Sequence, residues 1–229
     1  MPGSLQLRRV LMQQPPARLL RGLVGLWELG EASGVRVSSY GARPLTDNNT
    51  VGSTAGKVGD AAWFVSANSE YLSRVNDLLT GPEWTVALWV KFDSLAANRG
   101  IWCLGSTPLD GAARLFLQAN STALRIYAEG SSFRNFSGPV LAVGTWYHIV
   151  LTRDSGRNIR GYVNGVEQLN TTLNAPAGNS ANFYLGAAFN GHHDGPIDQL
   201  IIWDWAHAPS DVSWLSAGRT WPEIRAYRG

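Results

Sequence analysis

The chain has 229 residues, a length that suits one all-β sandwich whose core is large enough to need no disulfide staples. Hydrophobic residues make up 45% of the chain and charged residues 16%, which excludes a disordered polypeptide. A net charge of +2, with scattered Lys and Arg, argues against a nucleic-acid-binding protein, and the single cysteine excludes an intrachain disulfide.

The first segment, 1–22, is rich in Arg, Gln, Pro and Leu and lacks strand alternation, so we predict an N-terminal arm. Arg8, Gln13 and Pro15 interrupt any apolar stretch of a secretory signal, so no signal peptide is evident. No apolar run is long enough for a membrane-spanning helix, so membrane insertion is not expected. Because chain termini are ordered only when tied down, we expect the arm to pack on its own domain or on a neighbouring subunit.

Residues 23–207 are predicted to form the sandwich, because short β segments alternate with turn signals. The clearest segment, 84–92, has two distinct faces. One face carries Trp84, Val86, Leu88, Val90 and Phe92, and the other carries Thr85, Ala87, Trp89 and Lys91. Residues 47–49 are predicted to be a polar loop. The predicted strands cover 22–29, the segment 57–64 at its end, 70–73, 84–92, 101–104, 114–118, 124–128, 146–153, 159–164, 183–187 and 198–204.

Two alternating segments in the second half, 146–153 and 161–165, predict a pair of strands. The second ends in Asn164-Gly165, the strongest short signal for a hairpin turn. His148 shares a face with Trp146 in the first of these segments, and we interpret it as a histidine in or beside the core.

The last segment, 208–229, is predicted to contain a short C-terminal helix followed by a tail. Residues 209–218 have the only helical pattern that follows the body of the sandwich. Ser210 is the expected N-cap, and Gly218 is the expected stop.

A series of short motifs occurs in a fixed order along the chain. These motifs lie at 22–34, 56–64, 70–72, 84–91, 146–148, 162–165 and 195–203. In this order they resemble the laminin-G-like jelly-roll domains of the concanavalin A-like lectin/glucanase superfamily. The resemblance implies an all-β fold, an antiparallel β-sandwich (jelly roll, concanavalin A-like), here with an N-terminal arm and a short C-terminal helix.

The last motif departs from the family pattern at two positions. Where the family commonly has Glu and Arg, this chain has Gln199 and Ile201. We hypothesise that Ile201 forms part of an apolar face that a neighbouring subunit covers.

Catalysis is not expected, although the glucanase branch of the superfamily is similar in fold. That branch carries a Glu-x-Asp-x-x-Glu strand, which places two carboxylates on one face for glycosidic bond cleavage. No such strand occurs in this sequence, so we predict a protein that is not an enzyme.

Two segments are candidate ligand-binding sites. The first is a loop that contains Asn190, His192, His193 and Asp194, with a solvated hairpin loop as the alternative interpretation. The second combines Arg134, Asn135 and Phe136, residue types that can fix and stack on a sugar, with a strand edge and a core Phe as the alternative. No cofactor is required. If calcium binds, as it does in many relatives, the expected ligands are Asp194 and Asp198.

Three functions fit the sequence. The first is a non-enzymatic structural or interaction module, such as a virion accessory protein (decoration, fibre or tail) that self-associates or docks through its arm and binds glycans. The second is a secreted or cell-surface carbohydrate-binding lectin, and the third is a glycoside hydrolase. The expected partners are a homo-oligomer or larger protein assembly, and glycans. The expected location is a virion surface or an extracellular assembly.

Overall fold

The computed structural model describes residues 19–95, 98–106, 113–128, 131–173, 182–189 and 191–217. The strands are β1 Leu23–Trp27, β2 Thr46–Asn48, β3 Gly52–Ala55, β4 Asp60–Phe64, β5 Tyr71–Val75, β6 Trp84–Lys91, β7 Arg99–Gly105, β8 Ala113–Asn120, β9 Ala123–Ala128, β10 Arg134–Asn135, β11 Trp146–Arg153, β12 Asn158–Val163, β13 Val166–Thr172, β14 Asn182–Leu185, β15 Ala187–Ala188, β16 Gly191–His192 and β17 Gly195–Trp203. A 3-10 turn covers Ser66–Asn68, and helix α1 covers Pro209–Ser216.

The strands pair antiparallel in two large sheets that face each other, which confirms the predicted jelly-roll sandwich. The first sheet has the order β13-β12-β11-β6-β17-β4-β3, with β1 added on β17. The second sheet has the order β10-β9-β8-β7-β14-β5-β2. Strands β15 and β16 form a separate small hairpin. None of the described helices is long and apolar enough to cross a membrane.

The main core lies between the two sheets, where apolar side chains from alternate positions meet. In β6, the predicted inward face is confirmed, because Trp84, Val86, Leu88 and Val90 all belong to this core. β6 pairs along its whole length with β11, from Trp146 opposite Lys91 to Arg153 opposite Trp84. Alternate residues of these strands therefore point into the main core, as the period of two requires.

The outer face of the first sheet has a second, smaller core beneath α1. Ile201 and Trp203 pack there with Val212 and Leu215 of the helix. The indole Nε1 of Trp203 donates a hydrogen bond to the carbonyl oxygen of Leu19, 2.8 Å away. Ile201 is therefore covered by the chain's own helix, which removes the basis for the hypothesis that a neighbouring subunit covers it.

Several edge regions differ from the sequence prediction, and two of them are informative. The expected polar loop at 47–49 overlaps strand β2, and strand β13 was not predicted. The sequence of β13, VEQLNTT, has little apolar alternation because the strand lies at the sheet edge and is largely exposed. Its position depends on backbone pairing with β12, and this pairing leaves no strong hydrophobic pattern in the sequence.

Helix α1 begins differently from the prediction. Ala208 is the N-cap, no side chain caps the helix, and Pro209 occupies the first turn, where its missing N–H costs nothing. Ser210 therefore lies inside the helix and is not its cap. The expected stop, Gly218, lies outside the described residues, as do residues 1–18 of the predicted arm.

Candidate functional site

The outer face of the second sheet gathers aromatic side chains from several strands. In β8 and β9, Leu115, Leu117, Leu124 and Ile126 point into the core. Alternation therefore turns Phe116, Gln118, Arg125 and Tyr127 to the opposite face, where Phe116 pairs with Tyr127 and Gln118 with Arg125.

Four rings on this face form one cluster, which we call the aromatic platform: Phe116, Tyr127, Phe133 and Phe189. Phe116 stacks on Phe189 at 5.3 Å between ring centroids and on Tyr127 at 5.1 Å. Phe133 contacts both Phe116 and Tyr127, at 5.8 and 5.4 Å. Phe116 is fully buried, whereas Phe133 is 38% exposed. The platform therefore has a fixed base and an exposed aromatic edge.

The β15–β16 hairpin supplies Phe189 by lying directly against β7. A Cβ atom added to Gly100 would lie 2.0 Å from the backbone nitrogen of Ala188. A Cβ added to Gly191 would lie 1.4 Å from the carbonyl oxygen of Asn98. Glycine at these two positions is what allows the backbones to approach so closely.

The polar side of the platform centres on Arg125. Its guanidinium lies 4.0 Å from the centroid of the Phe133 ring. Nη2 donates a hydrogen bond to Asn98 Oδ1 at 2.8 Å. In the amide orientation that satisfies both groups, Gln118 accepts hydrogen bonds from Nε at 2.6 Å and Nη2 at 2.5 Å. Asn135 pairs with Arg125 across β9 and β10 and is exposed.

The three residues of segment 134–136 lie in different environments. Asn135 joins the platform, and Arg134 is exposed at the sheet edge, where Nη1 donates to the carbonyl oxygens of Ser132 and Phe133. Phe136 is 6% exposed and belongs to the core between the sheets. The structure thus corrects the expectation that Phe136 contacts a ligand, because the ring faces the interior.

The described residues of the loop at 190–194 also lie in different environments. Asn190 lies outside the described residues. His192 is nearly buried and stacks on Tyr71 at 6.2 Å, and burial lowers its pKa. His193 is fully buried against Phe64, and burial lowers its pKa to about 4. His193 therefore cannot reach a ligand on the surface, which corrects that expectation.

The expected calcium ligands have other partners. Asp194 Oδ1 accepts a hydrogen bond from the backbone of Ser66 at 3.2 Å, and its Oδ2 lies 3.7 Å from Arg99 Nη2. Asp198 is fully buried, and its Oδ2 accepts from the backbone N–H groups of Lys57 and Val58 at 2.8 and 2.9 Å. Burial raises the pKa of Asp198 to about 6.

Calcium is bound by several oxygen ligands at once. Three of these four carboxylate oxygens face N–H donors or a guanidinium, whereas Asp198 Oδ1 is buried without a hydrogen-bond partner. No group of three or more His, Cys, Asp or Glu gathers within the described ranges. Calcium binding stays a prediction for this chain.

Two carboxylates share a cleft that is lined by none of the platform residues. Glu28 and Glu31 line a cavity of about 350 Å³ together with Gly30, Val37 and Ser39. Glu31 Oε1 accepts a hydrogen bond from the Val37 backbone at 2.6 Å, and Ser39 donates to Glu28 Oε1 at 3.2 Å. None of the described residues that line this cleft is aromatic, so they offer no flat apolar surface on which a sugar stacks.

Phe116, Arg125, Tyr127 and Phe189 belong to the site but are not among the residues predicted from the sequence. Arg125 and Tyr127 lie in a strand whose alternation was visible, but nothing in the sequence showed which face would be exposed. Phe189 lay next to the loop that was singled out. The signal that could have found Phe116, Arg125 and Tyr127 is the excess of aromatic and planar polar side chains on one face of β8 and β9. Phe189 lies outside these strands, so this signal does not include it.

Comparison with known proteins agrees with this architecture. A family model described as the concanavalin A-like lectin/glucanases superfamily matches residues 66–213. No curated protein sequence matches the chain significantly.

Among solved structures, the chain is similar to domain 4 of AbnA, a GH43 extracellular arabinanase from Geobacillus stearothermophilus, in complex with arabinotriose. The identity is 21%, the TM-score is 0.68, and the match covers 85% of this chain and 98% of that one. The chain is also similar to Trypanosoma rangeli sialidase, with 16% identity and a TM-score of 0.67, over 85% of this chain and 32% of that one. It thus spans about a third of the sialidase.

A third similar structure is the binding domain of Paraclostridial Mosquitocidal Protein 1, with 13% identity and a TM-score of 0.66, over 85% of this chain and 52% of that one. Identities this low show the shared fold alone. Because the family model covers well over half of the chain, the protein belongs to the concanavalin A-like lectin/glucanases superfamily.

Proposed function

We propose that this protein is a non-catalytic carbohydrate-binding module and that its glycan lies on the aromatic platform, against Phe133, Arg125 and Asn135. The observation that carries the proposal is an exposed aromatic ring beside two planar polar side chains on one sheet face. An aromatic ring offers a flat surface to the C–H face of a sugar, and planar polar groups fix the sugar hydroxyls.

The rigidity of the site supports this proposal. Phe116 supports the platform from below, and Gln118 and Asn98 hold Arg125 in place. A ligand therefore meets side chains that are already ordered, which reduces the entropy lost on binding. The arabinotriose complex of the similar arabinanase domain supports a glycan as the class of ligand.

The test is binding of the purified protein to an array of neutral and acidic oligosaccharides, followed by calorimetry on the strongest ligand. Phe133→Ala should weaken binding about tenfold or more, because the ring loses its contact with the sugar. Trp63→Ala is the matched control, since Trp63 is 40% exposed but lies on the first sheet. Absence of binding to every oligosaccharide by the folded wild-type protein would refute the proposal.

Hydrolysis is the second candidate, favoured by one observation: Glu28 and Glu31 line the same cleft. Its test is incubation with the oligosaccharides and a reducing-end assay. Release of new reducing ends by the wild-type protein, lost in Glu28→Gln, would replace the non-catalytic proposal. We expect no release from either protein.

The role in an assembly or on a virion, outside the cell, stays a prediction. It rests on the arm, of which residues 1–18 lie outside the described residues. Light scattering at several protein concentrations tests it directly. A defined oligomer that is lost when 1–18 are deleted would support the role, and a monomer at every concentration would contradict self-association.

A further inference from the structure

We propose that the aromatic platform selects acidic glycans, whose carboxylate is bound by the guanidinium of Arg125. This inference rests on the proposed carbohydrate-binding function and names the class of sugar. A hexuronate or a sialate carries both features that the site requires, a ring with C–H groups and a carboxylate.

The guanidinium of Arg125 has a fixed orientation. Phe133 packs against one of its faces, and Gln118 and Asn98 accept hydrogen bonds from Nε and Nη2. The structure gives Nη1 no partner among the described residues. Because Nε and Nη2 are held, Nη1 has a defined direction and remains available to a ligand, without the loss of side-chain freedom that usually opposes such a contact.

Arg125 also lacks a counter-charge among the described residues. Two other arginines of the second sheet have carboxylate partners: Arg99 lies 3.7 Å from Asp194, and Arg74 lies 2.7 Å from Asp77. Arg134 at the sheet edge donates instead to two carbonyl oxygens. Arg125 has no such ion pair within the described ranges, and burial alone lowers its pKa. A partly desolvated cation without a carboxylate gains more from a bound anion than a paired one does.

The position of Arg125 also fits a ligand that is both apolar and charged. The guanidinium of Arg125 packs on the partly exposed ring of Phe133, and the exposed Asn135 is opposite Arg125 in the β9–β10 pair. A carboxylate on a sugar that contacts Phe133 would therefore lie within reach of the guanidinium. The exposed Asn135 amide can hydrogen-bond the adjacent hydroxyl groups. The charge and the apolar surface thus act on one ligand.

The test compares each hexuronate or sialate oligosaccharide with its methyl ester, which has the same ring but no charge. Wild-type protein should bind the acid at least about tenfold more tightly, since hydrogen bonds to charged groups are the stronger ones. This preference should weaken as sodium chloride is raised. Arg125→Gln should abolish the preference while keeping residual binding of the ester.

Arg160→Gln is the matched control. It removes the same charge from the first sheet, where Arg160 lies 3.4 Å from Glu167, and it should leave the preference unchanged. A circular dichroism spectrum and a melting curve confirm that each variant is folded.

The outcomes separate the two proposals. Equal binding of acid and ester, or a preference that survives Arg125→Gln, would overturn the selection of acidic glycans and leave carbohydrate binding intact. No binding of any acidic or neutral oligosaccharide by the wild-type protein would overturn both.

Discussion

Neighbouring aromatic residues of one segment have opposite roles in this protein. Phe133 is exposed on the platform, whereas Phe136, only three positions later, is buried between the sheets. A Cβ added to Gly161 would lie 2.5 Å from the Phe136 ring, which shows how closely the core packs around it. The first ring is available to a ligand, and the second stabilises the fold.

Substitution of the two rings by alanine should therefore give opposite results. Phe136→Ala should lower the free energy of unfolding by about 3–5 kcal/mol, because it leaves a cavity in a closely packed core. Phe133→Ala should change stability far less and weaken glycan binding. Urea unfolding and calorimetry on the same samples check both values. Similar loss of stability in the two variants would contradict this assignment.

His148 shows how burial fixes the charge state of a side chain. Ser216 Oγ donates its proton to the Val212 carbonyl oxygen, so it accepts a hydrogen bond from Nδ1 of His148, 2.8 Å away. The ring also packs on Trp89, with 4.8 Å between centroids. Burial lowers the pKa of His148 to about 3, so the imidazole is neutral and holds α1 on the first sheet. The sequence-based interpretation as a core histidine agrees with this environment.

At the level of elements, the β15–β16 hairpin connects the fold to the site. It brings Phe189 onto Phe116 and lies against β7 at Gly100. The position of the hairpin therefore depends on Gly100, which does not itself contact the proposed ligand.

Gly100→Ala should displace this hairpin, because the new Cβ would clash with the backbone of Ala188. We expect a loss of about 1–3 kcal/mol in stability, as for other overpacked sites, and weaker glycan binding. Gly34→Ala is a control for the loss of a glycine, since its Cβ would meet no atom, although its positive φ adds some strain. Unchanged binding by a folded Gly100→Ala protein would contradict the role of the hairpin.

Helix α1 is the second element with a defined role, because it covers Ile201. Ile201→Arg restores the residue type common in the family but places a charge under Val212 and Trp214. The buried charge lacks a partner, so we expect a loss of about 3–5 kcal/mol in the free energy of unfolding. Ile201→Val, the control, should cost about 0.5–1.5 kcal/mol. Equal melting temperatures for wild type and Ile201→Arg would show that α1 does not seal this face.

At the scale of the whole molecule, stability should fall in acid. The lowered pKa values of His148 and His193, about 3 and about 4, mean that the unfolded state binds more protons below pH 6.5. Each histidine therefore makes stability rise with pH by up to about 1.4 kcal/mol per unit in that window. The raised pKa of Asp198, about 6, acts in the opposite direction between its unfolded value of 3.8 and about 6.

Two opposing histidines outweigh one aspartate, so the urea midpoint should decrease from pH 7 to pH 4.5. His148→Gln should make this decrease smaller, and Asp198→Asn should make it larger. Urea titrations at several pH values measure how the midpoint of the wild type and of each of the two variants changes with pH. A wild-type midpoint that does not change over this range would contradict the burial of neutral histidines.

The sequence by itself determined the class of fold and much of the main core. Alternation in β6 and β11 is strong because each strand buries one face against the opposite sheet, and that pattern survives without knowledge of the partner strand. The order of the motifs also indicated the superfamily to which the chain belongs. The tertiary structure alone decided what covers the outer faces, because helix packing over Ile201 and the hairpin over Gly100 join distant residues. It also decided the site: side chains such as Arg125 and Phe133 become neighbours only when β9 and the segment before β10 pair, and a local sequence pattern does not record such pairing.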